Sequence, residues 1–304
     1  MDVYLPIANL SVNGLFIVLL GGLTGVLSGM FGVGGGFLTT PLLIFYGVPP
    51  TVAAASAASQ VTGASVSGVL AHSRSRNVDY QIGLVMIAGG ILGTGLGALL
   101  FRLLAAWGQI DTVINILYVL MLGGIGGLMA RESLVALRSS RSGASPAPRK
   151  RRHHPLVASL PMRWRFYRSG LYISPLAPLL LGICVGILTM LMGIGGGFIL
   201  VPAMLYILGM SASVVVGTSL FQILFVTIAT TLMHALTTKA VDIVLAFLLL
   251  LGSVSGAQLG AKLAFKARPE LLRLVLAVIV IAVALRMAFG LGIRPPEIYS
   301  VDLA

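Results

Sequence analysis

A single cysteine, Cys184, stands in the whole chain, so no intramolecular disulfide can form. Its place in an apolar run predicts a buried small hydrophobe. Charge is nearly as scarce: only 9% of the 304 residues are Asp, Glu, Lys or Arg, and just eight are acids. The apolar runs hold almost no ionisable residue, which removes the acid pairs, Ser-His-Asp sets and metal clusters that enzymes use. The chain is therefore read as no enzyme, with no catalytic residue, metal site or cofactor. Residues 1–13 contain Asp2 but no Lys or Arg, and no small-residue cleavage pattern follows, so no secretory leader is expected. The twelve methionines form no stripe, and adaptable packing accounts for them.

What fills the chain instead is apolar sequence, 58% of all residues with a mean hydropathy of +1.04. Uncharged runs of about 20 residues recur, which reads as an all-α polytopic membrane protein. The formal charge of +12 is unevenly spread. Between Arg131 and Pro175 lie ten of the twenty basic residues and one acid, Glu132. A basic loop between two membrane halves reads as cytoplasmic and drawn to anionic lipid head groups. Its run Arg149-Lys150-Arg151-Arg152-His153-His154 has no accompanying recognition fold, so nucleic acid is not an expected partner. The loop is expected to be mostly disordered, with an amphipathic piece near residues 162–172 resting in the interface.

The chain divides into a first transmembrane repeat at residues 1–130, the linker at 131–175, a second repeat at 176–292 and a tail at 293–304. The duplication is read from residues. Gly29-Met30-Phe31-Gly32-Val33-Gly34-Gly35-Gly36-Phe37 with Pro41 returns as Met192-Gly193-Ile194-Gly195-Gly196-Gly197-Phe198 with Pro202, at an offset of 161. Gln60 and His72 match Gln222 and His234 at 162. Asp79, Gly89, Gly93 and Gly97 match Asp242, Gly252, Gly256 and Gly260 at 163.

Glycine runs followed by proline break helices. An unbroken helix over residues 15–46 would be about 48 Å long, against a hydrocarbon core of roughly 30 Å. Each broken piece is therefore read as a re-entrant hairpin followed by three full spans, which makes the two repeats inverted. Arg74, Arg76, the linker, Lys262, Lys266, Arg268 and Arg273 then share one face, opposed by Arg102, Lys239, Arg286 and Arg294. That split suits the positive-inside rule and puts both termini outside. Parallel repeats of four spans each are the alternative.

Two broken helices at matching places in two halves point to a transporter's binding site. Gly34-Gly35-Gly36 and Gly195-Gly196-Gly197 bare backbone N–H groups, and the helices that follow aim positive dipole ends at the same place, which favours a small anion. Ser56 and Gln60, and Thr218 and Gln222, stand four residues apart and share a helix face. With Ser219 they are candidate uncharged ligands, interhelical hydrogen bonding being the competing reading. His72, His234, Asp79 and Asp242 are candidates for gating or proton coupling, against interfacial packing for the histidines and helix capping for the aspartates. Close helix crossing accounts for the Gly-x3-Gly-x3-Gly stretches.

Taken together, the two glycine motifs, the two glutamine-bearing spans and the glycine-striped spans resemble the sulfite exporter TauE/SafE family of membrane transporters. The resemblance covers nearly the whole chain outside the linker and termini. It implies transport of sulfite, sulfonates, thiosulfate or related oxoacids and carboxylates across the bacterial cytoplasmic (inner) membrane. One departure is visible: the Gly-Thr-Ser element of the family stands as Gly217-Thr218-Ser219 but as Ala55-Ser56-Ala57 in the first half. The expectation is thus a secondary anion transporter, read as an exporter, whose partners are its small anionic substrate and the bilayer, with homo-oligomers allowed. A carboxylate (oxalate-like) or other small-ion carrier, and a non-transporting scaffold or sensor acting through the basic linker, are the alternatives.

Overall fold

The computed structural model describes residues 2–31, 33–73, 78–141, 164–166, 168–264 and 269–292. Among them the chain is mostly helical. A strand pair, β1 (Asp2–Leu5) and β2 (Leu10–Asn13), leads into α1 (Gly14–Phe31), the short α2 (Gly36–Phe45), α3 (Pro50–Ser73), α4 (Tyr80–Ala106) and α5 (Ile110–Arg141). A second pair, β3 (Trp164–Phe166) and β4 (Leu171–Ile173), leads into α6 (Leu176–Met192), the short α7 (Gly197–Tyr206), α8 (Ala212–Met233), α9 (Ile243–Ala264) and α10 (Pro269–Gly292). A π-helical turn, His234–Thr238, closes α8.

Both strand pairs are antiparallel hairpins, and neither is anticipated by an all-α reading. Their inward residues, Leu5 and Val12 in one and Phe166, Leu171 and Ile173 in the other, are buried in separate apolar clusters. The amphipathic piece expected near residues 162–172 is thus partly an ordered hairpin, with Phe166, Leu171 and Ile173 turned inward and Trp164 and Tyr172 exposed. Helix α5 also runs to Arg141, well into the segment assigned to the linker, while residues 142–163 lie outside the described residues.

Six helices, α1, α4, α5, α8, α9 and α10, are long and apolar enough to cross a membrane. Their outward leucines, such as Leu15, Leu19, Leu92 and Leu99, are exposed, as lipid-facing residues are. The sequence reading counts α3 rather than α1 among the spans. Helix α3 is long but rich in Ala, Ser and Thr, and its first half lies inside the protein, where Ala53, Ala54, Ala55, Ala57 and Ala58 have no exposed surface. A helix wrapped by other helices does not need a lipid-compatible surface.

The packing exchanges elements between halves. Helix α1 lies along α9, α4 along α6, α3 along α8 and α5 along α10. The first two pairs run parallel: a Cβ at Gly252, Gly256 or Gly260 would come within 2.2 Å of the carbonyl oxygens of Val18, Gly22 and Val26 in turn. In the other pair, Cβ atoms at Gly89 and Gly93 would come within 2.2 Å of Leu179 O and Ile183 O. Close crossing therefore explains both glycine stripes. Their partners are themselves small, with Gly21 and Gly25 on α1 and Gly182 and Gly186 on α6 pressed against backbone of α9 and α4. Cys184, expected to be buried, is exposed on the outer side of α6. Lipid is as apolar as a protein core, so an apolar run does not say which way a residue turns.

Candidate functional site

The glycine runs break both helices as expected. Gly34 and Gly35 in the first loop, and Gly193, Gly195 and Gly196 in the second, have positive φ, between 69° and 87°, where a side chain would be strained. The first ladder bonds of α2 and α7 come only at Thr39 N to Gly35 O and Leu200 N to Gly196 O. The amides at each helix start therefore precede any i→i−4 partner.

The two loops meet. Phe37 and Phe198, the second residues of α2 and α7, stack with ring centroids 4.7 Å apart and planes 6° from parallel. A Cβ at Gly36 would lie 2.7 Å from Gly193 O, and one at Gly197 would lie 2.4 Å from Val33 O. Val61 of α3 and Ile223 of α8 close the space beside them, each near both Gly34 and Gly195. The Tyr118 hydroxyl on α5 donates to Met192 O at 2.6 Å and so ties the second loop to the first half.

Gln60 and Gln222, the residues before Val61 and Ile223, are both fully buried. Gln60 Nε2 donates to Thr24 Oγ1 at 3.0 Å, while its Oε1 makes no hydrogen bond. Gln222 makes none through either amide atom. Its Nε2 lies 3.2 Å from where a Cβ would stand on Gly90. Ser28 Oγ is likewise buried without a partner, and its Cβ is 3.3 Å from the Cβ position of Gly35. Buried polar atoms are nearly always bonded, so four such atoms, on Ser28 beside Gly35 and on the neighbours of Val61 and Ile223, call for a ligand or water. Thr24 and Ser28 are missed by sequence reading. Their only signal is that α1 carries two hydroxyl residues, four apart, in an otherwise apolar run.

Ser56 and Thr218 lie elsewhere. Ser56 Oγ accepts from Asp242 N at 3.1 Å, and Thr218 Oγ1 accepts from Asp79 N at 2.9 Å. Each aspartate in turn caps its helix. Asp79 Oδ1 accepts from Gln81 N and Ile82 N, and its Oδ2 from Ser169 N and Ser169 Oγ in the β3–β4 turn. Asp242 Oδ1 accepts from Val244 N and Leu245 N, and its Oδ2 from Ile7 N and Ala8 N in the β1–β2 turn. Each hairpin thus holds the span cap of the other half. Ser219 is buried, with Oγ donating to Val216 O. His234 is buried too, its Nε2 donating to Met190 O at 2.9 Å and its ring edge-on to Phe101. The backbone of His72 falls in the last turn of α3, and its side chain lies outside the described residues. Among the described residues no group of three His, Cys, Asp or Glu could hold a metal ion.

The family model described as sulfite exporter TauE/SafE matches residues 17–287. "Probable membrane transporter protein YjnA" of Bacillus subtilis is 28% identical over 89% of this chain and 98% of its own. A "Probable membrane transporter protein" of Xylella fastidiosa strain 9a5c is 31% identical over 87% of this chain and 91% of its own. "Probable membrane transporter protein YunE" of Bacillus subtilis is 24% identical over 90% of this chain and 96% of its own. No solved structure matches the chain.

Proposed function

The chain belongs to the sulfite exporter TauE/SafE family of multi-pass membrane transporters, and from that premise we propose that it exports small sulfur oxyanions, sulfite or an organic sulfonate, bound where its two glycine loops meet. The observation that carries this reading is the fully buried, unpartnered amide of Gln222, next in the chain to Ile223, which packs against Gly195 and Gly197. A structural amide would have found a partner. An amide that hydrogen-bonds a passing substrate has a reason to remain free between cycles.

The two repeats are inverted and α1–α2 and α6–α7 are re-entrant hairpins. In support, the end of α2 returns to the start of α1: Tyr46 Oη accepts from Asn13 N at 3.3 Å, and the Tyr46 ring stacks on Phe16. Leu208 and Met210, just past α7, share an apolar cluster with Ala177 at the start of α6. The cap of α9 is held by the first hairpin and that of α4 by the second, so the two ends of the molecule are reached in opposite order by the two halves. Arg165 lies in the second hairpin and Arg168, in its turn, donates to Val78 O, so that end is cytoplasmic on the positive-inside rule. The membrane is the bacterial cytoplasmic one, and the anion moves when the loop pair is opened alternately to either end.

Flux of radiolabelled sulfite and methanesulfonate into proteoliposomes, wild type against Gln222→Leu, tests the proposal. Leucine fills similar volume and removes two orphaned polar atoms, so the variant should be as stable as wild type or more so. Flux should fall at least tenfold. Unchanged flux in the variant, or none from folded wild type, would overturn the reading.

A further inference from the structure

We infer that the cavity between α2, α5 and α10 seats the head group of one membrane phospholipid, with its phosphate on Arg286 and a hydrogen-bond donor of the same head group on Asn115. The site is separate from the glycine loops, and the inference does not depend on what the protein carries.

The cavity measures about 260 Å³ and is walled by Ile44 and Phe45 at the end of α2, by Asn115 on α5, and by Arg286, Met287, Gly290 and Leu291 on α10. It lies towards the end of the molecule that holds the first hairpin, since Tyr46, the residue after Phe45, accepts from Asn13 N of β2. On the loop side the next turn of α5 is closed by Tyr118, fully buried and bonded to Met192 O. On the other side Phe45 and Leu291 are exposed, and Leu285 and Phe289 of α10 are more exposed still. A mouth framed by such side chains opens to lipid, not to a polar path.

Arg286 stands in this apolar frame six residues before Gly292, where the 19-residue apolar span of α10 ends. At 1.5 Å per residue that is about 9 Å below the helix end. A cation at that depth calls for an anion. Among the described residues no acid pairs with it; its guanidinium lies over the Phe45 ring, 5.4 Å from the centroid, which steadies it beside the cavity. Asp111, one turn from Asn115 on α5, is engaged with the backbone of Thr51. A lipid phosphate is the anion that a bilayer supplies near helix ends, and a guanidinium takes it through two parallel N–H bonds.

Asn115 narrows the choice of lipid. Its Oδ1 is buried and accepts no hydrogen bond. A phosphate offers acceptors only and cannot satisfy that oxygen, whereas an ammonium or hydroxyl next to the phosphate can. The head group that fits both residues carries phosphate and donor together. Phosphatidylethanolamine and phosphatidylglycerol do; phosphatidylcholine, whose nitrogen bears no hydrogen, does not.

The test is lipid binding to the delipidated full-length protein in detergent, read by native mass spectrometry and by thermal midpoint. One phosphatidylethanolamine should bind at least tenfold more tightly than phosphatidylcholine, and at least tenfold more tightly than diacylglycerol, which lacks the phosphate. Arg286→Gln should weaken phosphatidylethanolamine binding at least tenfold. Asn115→Leu should erase the preference over phosphatidylcholine. Gly290→Leu, at a position where a Cβ meets nothing within 4 Å, puts a side chain into the cavity and should abolish binding without lowering the lipid-free thermal midpoint. Equal affinity for the three lipids, binding undiminished in Arg286→Gln or Gly290→Leu, or a preference that survives Asn115→Leu would each overturn the inference. Soluble glycerophosphoethanolamine binding as tightly as the lipid would also overturn it, by making this a site for a free anion. So would lipid binding that appears only after residues 293–304 are removed, which would give the cavity to the chain's own tail.

Discussion

The two halves of the molecule place the same glutamine at the same point and treat it differently. Gln60 is tied by its amide nitrogen to Thr24, whereas Gln222 is tied to nothing. The cause is one residue. At the offset of 161 that relates the glycine motifs, Thr24 corresponds to Val185, so the second half has no hydroxyl where the first has one. The neighbouring pair is reversed. Thr189, the counterpart of Ser28, bonds back to Val185 O at 2.7 Å, while Ser28 Oγ is free. The first half therefore offers a carbonyl oxygen and a hydroxyl, and the second offers a whole amide. Matching positions in the two halves thus leave different polar atoms unbonded.

The scaffold is where the halves should respond alike and most strongly. Gly93→Leu on α4 and Gly256→Leu on α9 each drive a side chain into backbone carbonyls 2.2 Å away, with no flexible atom to yield. Each should cost more than about 4 kcal/mol and prevent accumulation of folded protein. Gly95→Leu, with open space around it, should be tolerated. Size-exclusion profiles and thermal midpoints in detergent would check this, and a folded Gly93→Leu would mean that the α4–α6 contact is looser than described.

That scaffold was largely legible in the sequence, because glycines at helical spacing and a repeated offset are local signals. The glycine loops, the aspartates at helix starts and the paired glutamines are all visible as residue types at matching spacing. The hairpins could not. Strands of three or four residues carry too few alternations to register, and the bonds they make, Ser169 to Asp79 and Ile7 to Asp242, span 90 and 235 residues. Thr24 and Ser28 are hidden for a similar reason: a hydroxyl in an apolar helix can bond back to its own turn, and only tertiary packing tells that Thr24 also accepts from Gln60 while Ser28 Oγ bonds to nothing. Cys184 turns the other way from the reading because in a membrane apolar character does not report burial in protein.

A smaller test of equivalence lies at the caps. Ser56→Ala and Thr218→Ala remove the acceptors for Asp242 N and Asp79 N, leaving a buried amide unpaired in each case. A loss of about 1–3 kcal/mol is expected from either. The two losses should match in thermal or denaturant unfolding, and flux per folded molecule should change less than in Gln222→Leu. If Ser56→Ala instead abolished flux at unchanged stability, its hydroxyl would belong with the substrate rather than with the cap.

The comparison can be broken outright by Val185→Thr, which gives Gln222 the partner that Thr24 gives Gln60. Valine and threonine have the same shape, and the new hydroxyl can bond back to the carbonyl four residues earlier, as Thr24 does to Leu20 O. Hydrogen bonds between helices inside membranes average about 0.6 kcal/mol, so the variant should be slightly more stable than wild type. The same bond must now be broken whenever substrate takes the amide, and 0.6 kcal/mol corresponds to about a threefold loss of flux. Stability and transport should therefore move in opposite directions, by similar free energies. A structural glutamine would yield the gain in stability without the loss of flux, and the reciprocal change, Thr24→Val, would then lower stability and leave flux alone. Measured together, the two variants distinguish an amide kept free for a ligand from one that merely lacks a neighbour.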